Sequence, residues 1–241
     1  LLVKYAYERG ASEVKINWID DFSTKERYLH ADEEVLKTVH GFTVDELEYY
    51  YKNDVTMISI YAEDPELLKD VDPNRIKMAQ EARNKATKHL MKYTMNDICS
   101  WIVVSVPTVA WAEKVYPGLK GQEAKDRMWE DIFKFTRVDG SGDAIEKWEE
   151  HLATLGRRAK ILNEKNLKEL VYKSDNGTDL TVGLAKNHIW GEAKATNING
   201  TRFVPNMPTE EIYTCPDRNN VNGRLKSTLP LSYNGVLIEG M

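Results

Sequence analysis

Apolar residues separated by steps of three and four mark the clearest elements of this chain. After Asp143, the residues Ile145, Trp148, Leu152, Leu155, Ala159 and Leu162 recur at helical spacing. They fall on one face and predict a long amphipathic helix with a single apolar stripe. Ala124, Met128, Ile132 and Phe135 repeat the spacing and predict a second helix from about Gln122. Asp72 followed by Pro73 reads as an N-cap with proline at the first helical position. The helix behind it is expected to carry Ile76, Ala79, Ala86, Leu90 and Tyr93 on one face. Residues 1–10 read as the last turns of a helix, with Gly10 as its stop.

Other stretches follow the period of a strand. Val14, Ile16 and Trp18 alternate with polar residues, which predicts a strand over 14–18. Residues 55–61 are nearly continuous in apolar and β-branched side chains and predict a strand covered on both faces. Residues 101–106 are a third such run, ended by Pro107. Strands separated by helices imply parallel pairing through crossover helices.

The pattern changes near Asn163. Short strand signals follow at 170–172, 180–184, around Phe203, at Ile212 and Tyr213, and at 236–238. Asp175-Asn176-Gly177, Asn199-Gly200, Asn222-Gly223 and Asn234-Gly235 read as turns between them. The fold class expected is α/β. An N-terminal domain with a mostly parallel sheet covers residues 1–165, and the strand-rich start of an incomplete catalytic domain covers 166–241. With Leu1 in first place and a strand signal near the last residue, the chain is expected to be a fragment lacking both ends.

Composition narrows the classes. The 241 residues include twelve Tyr, six Trp and five Phe, and 41% are hydrophobic, enough to form a core. Thirty-three basic against thirty-eight acidic residues give a net charge of −5, which argues against general phosphate binding and so against nucleic acid as partner. The longest apolar run is far too short to span a bilayer, so no membrane partner is expected. Cys99 and Cys215 form no CxxC pair, which excludes a thiolate zinc site and a disulfide scaffold and suggests a reducing compartment.

Candidate chemistry is sparse. There is no phosphate-binding loop, nucleophile elbow or HExxH helix, and Asp139-Gly140-Ser141-Gly142-Asp143 reads as the turn before the long helix. The histidines stand at positions 30, 40, 89, 151 and 188, none at metal-ligand spacing. His89 and His151 read as helix-surface or partly buried residues, and His188, beside an alternating strand and Trp190, is the better candidate. The Asn176 and Asn199 sequons read as plain turns. Glu210 and Glu211 stand out because they lie where a loop enters a predicted strand. Neighbouring strand residues point to opposite faces, so at most one of the pair aims into a given site. A carboxylate suits Zn²⁺, Mn²⁺ or Co²⁺, but a site needs further ligands.

These same residues carry a resemblance. The segment 206–218, with Asn206-Met207-Pro208-Thr209-Glu210-Glu211 at its head, resembles the signature of the M29 family of metallo-aminopeptidases, the PepS and AmpS branch most closely. The likeness continues through 221–223 and 230–235, and upstream through 177–184, 187–190, Pro107 and 111–117, in order along nearly the whole chain. The resemblance implies a cytoplasmic exopeptidase that releases N-terminal amino acids from peptides. It implies two divalent metal ions (Zn, Co or Mn) that activate a water, and a homodimer when full length. It assigns Glu211 as a metal ligand, leaves Glu210 a supporting, catalytic role, and places His188 outside the ligand set. The other ligands, one Glu, two His and one Asp, with a functional Tyr, are implied to lie beyond Met241. Two readings stand beside it: a non-enzymatic α/β binding module with a surface acidic loop, and a paired-carboxylate hydrolase such as a glycosidase.

Overall fold

The computed structural model describes residues 1–229, 231–233 and 236–238. Four helices come first: α1 (Leu2–Glu8), α2 (Asp21–His30), α3 (Glu33–Leu36) and α4 (Gly41–Lys52). The middle of the chain alternates strand and helix: β1 (Thr56–Tyr61), α5 (Pro73–Thr87), α6 (Lys92–Met95), β2 (Ser100–Ser105), α7 (Val109–Val115), α8 (Gly121–Phe135) and α9 (Ala144–Lys165). Strands follow: β3 (Glu169–Lys173), β4 (Asp179–Leu184), β5 (Ala195–Thr196), β6 (Arg202–Phe203), β7 (Asn206–Met207), β8 (Pro216–Arg224), β9 (Leu231–Tyr233) and β10 (Val236–Ile238). The fold class is α/β, as expected.

The helix starts obey their caps. The Asp143 carboxylate accepts the Ile145 and Glu146 amides at 2.8 and 3.4 Å, supplying partners for amides that a helix cannot satisfy internally. Asp72 accepts from Asn74 N–H at 2.9 Å ahead of Pro73. The stripe of α9 is buried at Trp148, Leu152, Leu155 and Ala159, whereas Ile145, in the first turn, is 76% exposed. Phe135, the last residue of α8, is exposed too. At a helix end the terminal turn runs past the layer it packs on, so periodicity alone overstates burial there. The helix from Pro73 stops earlier than its spacing suggests. The Thr87 hydroxyl bonds back to the Arg83 carbonyl at 2.9 Å, a contact that weakens continuation. Leu90 and Tyr93 then reach a core with Cys99 from a 3₁₀ turn and from α6.

β1 and β2 pair in parallel from Thr56↔Ser100 to Tyr61↔Ser105. β7 joins the other edge of β2, also in parallel, through Val103↔Asn206 and Val104↔Met207. α9 ends at Asn166, whose left-handed backbone caps it, and the chain beyond returns to the first sheet through β7. A second sheet, in the order β3-β4-β8, is antiparallel.

Three strand and turn expectations need correction. Residues 14–18 form no strand, because alternation supplies two faces but no partner ladder, and Trp18 is largely exposed. β1 forms where expected but is not buried. Ile58, Ile60 and Tyr61 are half exposed, since it is an edge strand with β2 as its neighbour. Asn222-Gly223 is no turn: both residues lie inside β8, opposite Thr181 and Leu180. Gly223 is required there by close approach, since a Cβ would sit 2.1 Å from the Asp179 carbonyl oxygen. The turns at 175–177 and 199–200 link β3 to β4 and β5 to β6. Asn234-Gly235 lies outside the described residues.

Candidate metal centre

Glu210 and Glu211 sit on an irregular segment that leaves the carboxyl end of β7, the end of parallel strands where ligands collect in open α/β sheets. Both flanks of the segment are fixed. On the near side, Met207 packs with Val204 and Ile212 against the buried Trp148, Leu152 and Leu155 of α9 and against Ala193. On the far side, Tyr213 exchanges two backbone hydrogen bonds with Gly191, at 2.8 and 3.1 Å. The Thr214 hydroxyl then donates to the Ile189 carbonyl at 2.9 Å. Tyr213 therefore forms one isolated bridge with Gly191, and Ile212 lies outside it, in place of the strand expected.

Between these flanks the chain is held from the side by His151 of α9 and by Arg137, two residues past the end of α8. The His151 Nε2 lies 2.7 Å from the Thr209 carbonyl oxygen. A carbonyl only accepts, so Nε2 carries the proton, and Nδ1 is left to accept from Arg137 Nη2 at 3.1 Å. The same Nη2 donates to Glu210 Oε1 at 2.7 Å, and Glu210 Oε2 stands 3.5 Å from His151 Nε2. Arg137 is fixed in turn. Its Nη1 donates to the Phe135 carbonyl at 3.0 Å, and its guanidinium lies 5.3 Å from the centre of the Trp148 ring. Trp148 donates through its indole N–H to the Thr136 carbonyl at 2.8 Å.

Arg137 adopts a left-handed backbone, φ 61°, where glycine or asparagine normally closes a helix. That conformation costs a non-glycine residue roughly 1–2 kcal/mol. A partly exposed ion pair returns at most about 1 kcal/mol. The pairing thus contributes little net stability, and what it supplies is a defined geometry for the loop.

Glu211 is different. Its side chain is exposed and has no hydrogen bond or ion pair among the described residues. A carboxylate with both oxygens available is chemically suited to a divalent cation, so the residue fits the role of one ligand. The neighbouring Tyr213 hydroxyl is raised above the usual phenol range, first by burial and then by the carboxylates of Asp97, Glu192 and Glu211. Among the described residues, no group of three or more potential ligand side chains is brought together. His188 is occupied elsewhere: its Nδ1 donates to the Ala185 carbonyl at 3.0 Å and its ring meets Trp190 edge-on.

His151 was legible only as a helix residue. Its partners stand far away in sequence, at Thr209 and Arg137, and no local pattern announces them. The one available signal was its place three residues after Trp148, on the buried face of α9.

A family model described as thermophilic metalloprotease (M29) matches residues 1–241. The chain belongs to the M29 metalloprotease family. Among its relatives, aminopeptidase 2 of Geobacillus stearothermophilus is 41% identical over 239 residues, covering 99% of this chain and 57% of that protein. Aminopeptidase PepS of Streptococcus thermophilus is 40% identical over 242 residues, covering 100% of this chain and 58% of that protein. The structure of wild-type AmpT from Thermus thermophilus superposes with a TM-score of 0.87 at 30% identity, covering 99% of this chain and 58% of that one. The chain thus spans somewhat over half the length of these M29 relatives. No helix among the described residues is long and apolar enough to cross a membrane.

Proposed function

We propose that the protein carrying this chain is a metal-dependent aminopeptidase that releases N-terminal residues from peptides. The observation that supports this most is the match to the M29 metalloprotease family along the whole chain, with relatives named as aminopeptidases on either side of 40% identity. Within the chain, Glu211 is the residue we assign to the metal, because its carboxylate is exposed and unengaged on a segment fixed at both ends. Glu210 is assigned a supporting role. Two divalent ions of the Zn, Co or Mn type are proposed, with the remaining ligands supplied by the rest of the full-length protein. When bound, such ions supply Lewis-acid polarisation of a scissile carbonyl and a water of lowered pKa. The chain's own part is to hold a carboxylate in place at the end of β7. A cytoplasmic homodimer is proposed for the full-length enzyme, and the 241-residue chain alone is proposed to bind metal weakly and to lack peptidase activity.

The test uses the full-length protein and a short leucine-led peptide. Release of the first residue is followed with added metal, with chelator, and in Glu211→Ala. Chelator-sensitive release that disappears in the variant is the expected result. No release with any of the three metals would move the non-enzymatic binding module to first place.

A further inference from the structure

We propose that Arg137 and His151 are positioning residues for the Glu211 ligand, and that Glu210 is the handle they grip rather than a ligand itself. The inference rests on the metallopeptidase reading and adds two residues to it.

Three features of the geometry support it. First, Glu210 Oε1 is already engaged by Arg137 Nη2 at 2.7 Å, while Glu211, one residue on, is unengaged among the described residues. Adjacent carboxylates are thereby given different tasks. Second, the grip is doubled. His151 takes the Thr209 carbonyl while Arg137 takes the Glu210 side chain, and Arg137 also donates to the His151 ring. A single guanidinium nitrogen therefore ties the backbone contact and the side-chain contact together. Third, Arg137 is held in the left-handed region at the end of α8. Backbone hydrogen bonds close the helix there, Arg137 N–H to the Lys134 carbonyl at 3.2 Å and Val138 N–H to the Phe133 carbonyl at 2.9 Å, so the guanidinium springs from a fixed backbone. Supports that orient a metal ligand from behind shift metal affinity by about 10- to 100-fold when removed.

The experiment measures metal affinity rather than turnover. Apo full-length protein is titrated with Co²⁺ against a competing chelator, and melting of the metal-free form is recorded alongside. Glu211→Gln is expected to lose binding at its site. Arg137→Ala is expected to weaken Co²⁺ binding by about 10- to 100-fold with the metal-free melting curve little changed. Arg137→Lys is expected to recover part of the loss, because an ammonium keeps the Glu210 contact without the second nitrogen that anchors the guanidinium on the Phe135 carbonyl. Glu210→Gln is expected to stay near wild type, since its amide oxygen still accepts from Arg137, whereas Glu210→Ala is expected to resemble Arg137→Ala. If Arg137→Ala does not fold, the contrast between the two Glu210 variants decides. Glu210→Gln as damaging as Glu211→Gln would make Glu210 a ligand and overturn the proposal. So would wild-type affinity in Arg137→Ala or in Glu210→Ala. Wild-type protein that binds no divalent metal would instead remove the metallopeptidase reading itself.

Discussion

Asn163 and Trp190 hold each other by a reciprocal pair of hydrogen bonds: Asn163 Oδ1 accepts the Trp190 backbone N–H at 2.8 Å, and Asn163 Nδ2 donates to the Trp190 carbonyl at 3.0 Å. A side-chain amide near the end of α9 thus stands in for a strand neighbour. It secures the segment that carries Gly191, which in turn pairs with Tyr213.

Truncating that amide leaves a backbone donor and a backbone acceptor without partners. Asn163→Ala is expected to lower unfolding stability by about 1–3 kcal/mol. Asn163→Asp, which keeps the acceptor and loses the donor, is expected to cost less. Urea denaturation of the two variants and the parent checks the order, and a reversed order would show that repulsion between the new carboxylate and the Trp190 carbonyl outweighs the contact to the Trp190 N–H that the aspartate keeps.

Gly191 is the second point of leverage. A Cβ at this position would lie 2.8 Å from the Tyr213 ring, so Gly191→Ala must displace the ring or the backbone bridge. Tyr213 follows Glu211 by two residues, and the carboxylate is expected to move with it. Metal affinity of the full-length variant is expected to fall by about tenfold, the scale typical for loss of a supporting contact. Calorimetric titration giving wild-type affinity would show that the loop tolerates the shift.

Asp139, two residues after Arg137, gives a pH signature of its own. Hydrogen bonds from Ser141, then from Lys147, hold its carboxyl well below the usual carboxylate range. A folded-state pKa below the unfolded value of about 3.9 contributes stability above that value and loses it as pH falls toward the folded one. Asp139→Asn is therefore expected to be less stable than the parent at neutral pH. The gap is expected to begin closing as pH drops below about 4 and to vanish only once pH has passed the depressed folded-state value. Denaturation midpoints at several pH values check this, and a gap that widens toward acid would contradict the assignment.

The elements that were legible in the sequence are those whose signal is local. The stripe of α9 and the cap at Asp143 need only neighbours along one helix, and both appear in the structure. β2 and Pro107 are as local. The failures share a cause. Residues 14–18 alternate correctly but have no strand to pair with, and the Asn222-Gly223 pair is taken up into β8 because β4 lies beside it. Burial of β1 depended on what covers it, which a run of β-branched residues does not encode. At the candidate site the glutamate pair was visible as a motif. The grip on it was not, because Arg137, His151 and Thr209 meet only when α8, α9 and β7 are assembled.

The parallel pairing of β2 with β7 carries a consequence for synthesis. β2 is complete at Ser105, but the strand that covers its second edge ends at Met207. At elongation rates of roughly 5–20 residues per second, the intervening stretch takes on the order of 5–20 s to emerge from the ribosome. Through that interval Val103 and Val104 present an open, apolar ladder, the kind of edge that recruits strands from other chains. Nascent chains stalled or cleaved between these points are expected to be the aggregating species, and holding chaperones to act on this protein during translation more than after it.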